Sequence, residues 1–231
     1  MIYVYPKLPS TNDEARRLAI DGATHGTTVL AYEQECGRGR QGRNFVSPAG
    51  GLYMSTVIAD DCADTTILTL IAAVVVAHAI EEALNIRIGI KWVNDIIYRD
   101  LKVGGILTEK FSGGAIVGIG LNLHTAQLPD DIGDAGTMSD IALGVSVQGL
   151  AQSIQKKLIA YTFGAIDRQI ILEEYRTRSI LLGKAIEVTI GDSRFDATAI
   201  AIGDGGELIV NKDNNETVSL TYGEARVRKN T

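Results

Sequence analysis

Seven consecutive residues, Gly37-Arg38-Gly39-Arg40-Gln41-Gly42-Arg43, carry the densest chemistry in the chain. Each guanidinium is a planar, permanently charged donor matched to carboxylate and phosphate oxygens. The interleaved glycines let the backbone approach a ligand and turn N–H groups toward it. A glycine costs roughly 0.5–1 kcal/mol in a helix or strand, so the stretch is expected to be a loop suited to wrapping an anion. The same composition fits a solvated arginine-glycine segment or a weak nucleic-acid contact. Lys91-Trp92-Val93-Asn94-Asp95 sets a lysine, an amide and a carboxylate at a tight turn. Asn94 and Asp95 are either ordinary turn residues or oxygen ligands for Mg²⁺ or a nucleotide. Lys102 stands just before Val103-Gly104-Gly105-Ile106-Leu107, where glycines allow a ligand to lie on the backbone, although a lone lysine after a turn is usually solvated. Ser10-Thr11-Asn12 either cap a helix or offer hydroxyls, an amide and free N–H groups to a polar neutral head group. Asn122 closes Gly118-Ile119-Gly120-Leu121 with another amide.

These residues need elements to hold them. Residues 29–32 and 51–58 read as strands on either side of the arginine stretch, which makes it a clamp or lid between two core strands. Residues 1–5 read as a short strand. A helix then starts at Ser10–Glu14, with Thr11 and Glu14 at capping-box spacing, Ala15, Leu18 and Ala19 on its apolar face, and Gly22 at its end. Residues 65–84 are apolar nearly all round, as in a helix packed between layers. Their longest apolar run, 67–80, is short for a bilayer and holds Thr69 and His78, the latter read as a core or boundary histidine. Strands follow at 88–92, 96–98, 103–109 and 115–123, joined by turns at Asn94-Asp95, Arg99-Asp100 and Gly113-Gly114. Residues 124–136 read as a loop, Thr137 and Asp140 repeat the capping-box spacing, and helices are expected over 147–161 and 166–178. Beyond Gly183, alternating strands at 185–190, 195–202, 207–210 and 217–220 suggest a small antiparallel barrel. The expected class is α+β: a mixed, largely antiparallel sheet with packed helices, followed by that barrel.

A net charge of -6 over 231 residues makes the whole chain a poor partner for nucleic acid. The arginine cluster stands against that charge, and a small anionic ligand explains the contrast better. Cys36 and Cys62 have no metal-ligand spacing and read as free thiols of a cytoplasmic protein. No secretory signal is visible at the N-terminus, and no membrane association is expected.

Taken together, Ser10-Thr11-Asn12, Gln34 with the arginine stretch, Ser47-Pro48 with Gly51-Leu52-Tyr53, Lys91–Asp95, Lys102 with Gly105-Ile106-Leu107-Thr108-Glu109, and Gly118–Asn122 resemble biotin protein ligases. The resemblance covers roughly residues 8–125 by motif. It implies a class II synthetase-like catalytic domain over 1–182 and an SH3-like domain over 183–231. The activity it implies joins biotin to ATP as biotinyl-5′-AMP, with Mg²⁺, and passes biotin to a lysine of a biotin carboxyl carrier protein. By motif position, Ser10, Thr11, Asn12 and Gln34 would line the pocket for biotin's ureido head. Arg38, Gly39 and Arg40 would close over the carboxylate and then the adenylate. Arg43 would reach the ATP phosphates, and Lys102, with Arg40, would stabilise charge in the transition states. Lys91, Asn94, Asp95 and Asn122 would hold the nucleotide, with Asp95 the Mg²⁺ ligand.

Some positions depart from the family pattern. Phe45 stands where tryptophan is common and Val93 where proline is. Glu35 and Cys36 replace smaller residues, and Glu35 is expected to pair with an arginine of the stretch. Only nine residues precede Ser10, so a ligase without the helix-turn-helix domain of repressor members, and without DNA binding, is expected. A homodimer through a sheet edge fits the resemblance. Gly223-Glu224 and Arg226 either touch ATP or finish a strand, the latter being favoured. A lipoate-type ligase and a non-catalytic biotin or nucleotide sensor remain as alternatives.

Overall fold

The computed structural model describes residues 1–60, 63–125, 128–129, 133–162 and 167–228. Seven strands form the main sheet: β1 (Ile2–Tyr5), β2 (Thr28–Ala31), β3 (Leu52–Ile58), β4 (Gly89–Lys91), β5 (Asp95–Tyr98), β6 (Leu101–Phe111) and β7 (Gly114–Leu121). Their order is β1-β2-β3-β7-β6-β5-β4, with β1 parallel to β2 and every other pairing antiparallel. The expected mixed, largely antiparallel sheet is what forms. The Arg99-Asp100 turn between β5 and β6 has positive φ at both residues (49° and 63°), the backbone a tight hairpin twist requires.

Side-chain alternation gives this sheet two different faces. Leu52, Met54 and Ile58 of β3 and Val117, Ile119 and Leu121 of β7 join the large core. Val57 and Ile116 point the other way and pack with Ala15 of α1 (Thr11–Ile20). The large core is built on α2 (Thr65–Leu84), which crosses β4 to β7 and is covered by α3 (Val147–Thr162) and α4 (Arg168–Arg178). Asp64 caps α2 by accepting from the Thr66 and Ile67 N–H groups at 2.8 and 3.3 Å, and left-handed Asn85 ends it. Burial of each Leu, Ile or Val along α2 contributes about 1.5–3 kcal/mol. At 20 residues α2 is in fact long and apolar enough to cross a bilayer, so the length argument does not hold. Its burial between sheet and helices is what makes it a core helix. His78 sits at the edge of that core, 3.2 Å from Glu174 and 3.4 Å from the Tyr161 hydroxyl.

Two helix-start expectations need correction. Ser10, not Thr11, caps α1, accepting from the Asp13 N–H at 3.4 Å, and Glu14 turns to Tyr5 and Arg17 instead of back to the cap. Thr137 and Asp140 start no helix. The Thr137 hydroxyl accepts from the Ser139 N–H at 3.2 Å and closes a turn, the common alternative for a hydroxyl two residues before a free donor. The helix expected from 166 begins at Arg168 under an Asp167 cap, residue 166 itself lying outside the described residues, as does Cys62.

The chain ends in a second, antiparallel sheet of β8 (Ala185–Ile190), β9 (Ser193–Ile202), β10 (Leu208–Lys212), β11 (Thr217–Leu220) and β12 (Glu224–Val227), in the order β11-β10-β9-β8-β12. It matches the small barrel-like unit expected, with β12 as a fifth strand. The apolar core runs on into it through Ile186, Val188, Ala199, Leu208 and Val210. Trp92 joins the two sheets, its indole N–H donating to the Gly206 carbonyl at 2.9 Å.

Candidate active site

The face of the main sheet opposite α2 floors a cavity of about 1200 Å³. Of the residues picked from the sequence, Ser10, Thr11, Asn12, Gln34, Arg38, Gly39, Arg40, Arg43, Lys91, Asn94, Asp95 and Lys102 all line it. They come from the start of α1, the segment after β2, the arginine stretch, the β4–β5 hairpin and β6, which only the sheet order brings together. Asn122 does not line it. Its side chain is turned into the fold, donating to the Gly136 carbonyl at 2.9 Å, because a residue just past the end of β7 tucks under the returning 134–138 segment.

One end of the cavity is a chain of directed polar contacts. Gln34 Oε1 accepts from the Thr11 N–H at 2.8 Å and the Thr11 hydroxyl at 3.0 Å, and Gln34 Nε2 donates to Ser47 Oγ at 2.9 Å. Ser55 Oγ lies 2.6 Å from Asn12 Oδ1 and 2.8 Å from Thr11 Oγ1. Asn12 can sit here because Gly118, opposite Ser55 in β3–β7 pairing, has no side chain; a Cβ there would fall 2.1 Å from Asn12 Oδ1. Gly120 opens the floor in the same way for Phe45, whose ring would meet a Cβ at 2.5 Å. Phe45 stands edge-on to Tyr53 in the space this leaves.

The arginine stretch is more ordered than a simple loop. It forms a narrow hairpin, with the Phe45 N–H donating to the Gly37 carbonyl at 2.8 Å and the Gly39 N–H to the Arg43 carbonyl at 2.7 Å. A 3₁₀ turn over Arg40–Gly42 closes its tip, with Gln41 and Gly42 at positive φ. Arg38 forks onto Asp13 at 2.6 and 2.7 Å. Arg40 donates to Asn94 Oδ1 at 3.2 Å, and the Asn94 amide donates to the Ile106 carbonyl at 3.0 Å. Burial lowers the Arg40 pKa, with Asp95 opposing, but a guanidinium remains charged at neutral pH. Arg43 pairs with Glu224 of β12. Glu35 does not pair with an arginine; it meets Lys7 at 3.4 Å, since the hairpin turns the arginines inward and leaves residue 35 on the outer side.

Asp95 lies between two lysines. Lys102 Nζ is 2.6 Å from its Oδ1, and Lys91 is its cross-strand neighbour in the β4–β5 pairing. Burial pulls the Lys91 pKa down, partly offset by Asp95. Tyr175 of α4, fully buried, donates to the Val93 carbonyl at 3.1 Å and supports the turn from beneath. The Trp92–Val93 peptide is cis. One carboxylate set among Lys91, Lys102 and Arg40 leaves an excess of positive charge where an anion can be held and its developing charge stabilised.

Gly223, Glu224 and Arg226 belong to strand β12 or the turn before it, the favoured alternative, and also line the cavity. Other groups were missed by sequence reasoning. Asp13, Ser55 and Glu109 carry contacts that no motif assigned. Ser55 could have been noticed as a polar residue inside an apolar strand.

The open face of this mixed sheet gathers cationic and amide groups around Asp95, the setting of a protein that holds an anionic ligand. A model of the Biotin/lipoate A/B protein ligase family matches residues 4–125, over half of the chain, and the chain belongs to that family. Among curated relatives, the Bifunctional ligase/repressor BirA of Bacillus subtilis is 34% identical over 93% of this chain and 70% of its own. The biotin–[acetyl-CoA-carboxylase] ligase of Paracoccus denitrificans is 33% identical over 87% of this chain and 90% of its own. Among solved structures, the biotin protein ligase of Aquifex aeolicus in complex with biotin and ATP superposes with a TM-score of 0.86 over 99% of both chains. At 24% identity that likeness speaks for the fold.

Proposed function

We propose that this protein is an ATP-dependent biotin–protein ligase. The observation that carries the reading is the convergence of the Ser10–Asn12 and Gln34 amide-hydroxyl cluster, the arginine hairpin and the Asp95–Lys102 pair on one cavity. The polar cluster suits a neutral, hydrogen-bonding head group, and the cationic end suits a carboxylate beside a phosphate. In the first step an oxygen of the biotin carboxylate attacks the α-phosphorus of ATP and pyrophosphate leaves with the P–O electron pair. In the second, the amine of a lysine on a biotin carboxyl carrier protein attacks the acyl carbon, AMP leaves, and the amine loses a proton. Lys102 and Arg40 hold the oxygens on which charge builds in both steps. Positioning supplies the remainder, and no enzyme nucleophile is needed.

Mg²⁺ fits this wall in one way. Among the described residues no three His, Cys, Asp or Glu side chains converge. A Mg²⁺ carried by nucleotide phosphates needs only one or two carboxylates, and Asp95, beside Lys102 and Lys91, is placed to be one of them. When bound, the ion neutralises phosphate charge.

The reading extends to a catalytic unit over 1–182 with a supporting unit over 183–231, to cytoplasmic location, to action without DNA or membrane, and to a homodimer through a sheet edge. Pyrophosphate release from Mg-ATP with biotin, lipoate or no acid tests the core of it. Biotin-dependent release is the expected result. Release with lipoate alone would move the chain to the lipoate ligases, and silence with both would leave a non-catalytic sensor. Incorporation of labelled biotin into a carrier domain then tests the second step.

A further inference from the structure

Two side chains of α1 and one of the arginine hairpin meet on one carboxylate. Asn12 Nδ2 lies 2.7 Å from Glu109 Oε2, Arg38 Nη2 3.3 Å and Arg16 Nη2 3.8 Å. Arg16 is itself held there by donating to the Lys110 carbonyl at 3.0 Å. Glu109 projects from β6, next to the floor on which Asn12 rests.

This arrangement sets the direction of the Asn12 amide. A carboxylate accepts and does not donate at neutral pH, so it admits only the amide NH₂. The opposite atom, Oδ1, is 2.6 Å from the Ser55 hydroxyl, and the residue is only 5% exposed. A flipped amide would set oxygen against oxygen at Glu109. In the observed direction one Nδ2 hydrogen is spent on Glu109 and the other is left for an acceptor atom of a ligand.

The same carboxylate also touches the hairpin. Arg38 sits near its base and forks onto Asp13 while its Nη2 reaches Glu109. The guanidinium is therefore shared by two acids, one on α1 and one on β6.

We propose that Glu109 is a positioning residue that orients the Asn12 amide and anchors the arginine hairpin, so that head-group recognition and hairpin placement share a single carboxylate. The proposal rests on the reading of this cavity as an acyl-adenylate site.

Glu109→Gln tests it, because the change keeps the shape and removes the charge. In steady-state pyrophosphate release, KM for biotin is expected to rise about tenfold or more, the scale of a hydrogen bond to a charged group. KM for ATP should stay within about twofold, and Glu109→Asp should recover part of the loss. In parallel, trypsin should cut at the hairpin arginines of the substrate-free variant several-fold faster than in wild type, with a matching thermal midpoint. Unchanged biotin KM, or equal rises in both KM values, would overturn the proposal. Should wild type show no biotin-dependent release, the acyl-adenylate reading fails first. The trypsin comparison then decides the anchoring by itself, with equal cleavage rates sinking it.

Discussion

Lys102 Nζ stands 2.6 Å from Asp95 Oδ1, the two residues lying on paired strands β5 and β6 at the cationic end of the cavity. The carboxylate holds the ammonium in place without neutralising the site, because Lys91 and Arg40 flank the same acid. A cation fixed before substrate arrives needs no reorganisation when charge develops, which is the condition for electrostatic catalysis.

Lys102→Ala should therefore lower biotin-dependent pyrophosphate release by about 10²–10³-fold, the range for removing one charge-stabilising donor. Circular dichroism and the thermal midpoint should remain close to wild type, since the side chain lies on the cavity wall and not in the core. Full turnover in the variant would return the sensor reading.

Gly118→Ala places a Cβ 2.1 Å from Asn12 Oδ1, and Asn12 cannot retreat without breaking its contacts with Ser55 and Glu109. Overpacking of this kind costs about 1–3 kcal/mol. Biotin affinity measured by calorimetry should drop about tenfold or more while ATP affinity holds. A variant with unaltered biotin binding would show that Asn12 does not meet the ligand.

Tyr175→Phe removes only the hydroxyl that donates to the Val93 carbonyl at 3.1 Å in a fully buried site. An orphaned buried acceptor costs about 1–3 kcal/mol, and for a domain of this size each kcal/mol shifts Tm by about 2–4 °C. Differential scanning calorimetry should show that fall. KM for ATP should rise with it, because the Tyr175 hydroxyl supports the turn that presents Asn94 and Asp95.

Glu14 makes the acid side of stability readable. The Arg17 guanidinium holds its carboxyl below the ordinary 4.5; partial burial opposes this, and the Tyr5 hydroxyl reinforces it. A folded-state pKa below the unfolded one means the stabilisation is complete above pH 4.5 and is lost as pH falls through the folded value. The Tm difference between wild type and Glu14→Gln should be constant from about pH 7 to about pH 5.5 and then shrink toward zero in acid. A gap that widens in acid would contradict the assignment.

Much of this molecule is readable residue by residue. The arginine-glycine stretch, the Lys91–Asp95 turn and Lys102 could be picked because their chemistry is carried by residue type within short spans. The helices and the main-sheet strands followed from apolar periodicity, which is a local property. Tertiary structure decided which residues meet. Alternation says that Ser55, Gly118 and Glu109 share a face only once β3, β7 and β6 have paired in a given register, and that register spans more than fifty residues of chain. For the same reason Asn122, a good candidate by type, turned inward, and Glu224, a strand residue by pattern, came to face Arg43. Sequence alone determined the chemical groups available and the local elements that carry them. Their convergence on one carboxylate and one cavity came from long-range strand pairing, where contacts between side-chain ends depend on packing that no local pattern encodes.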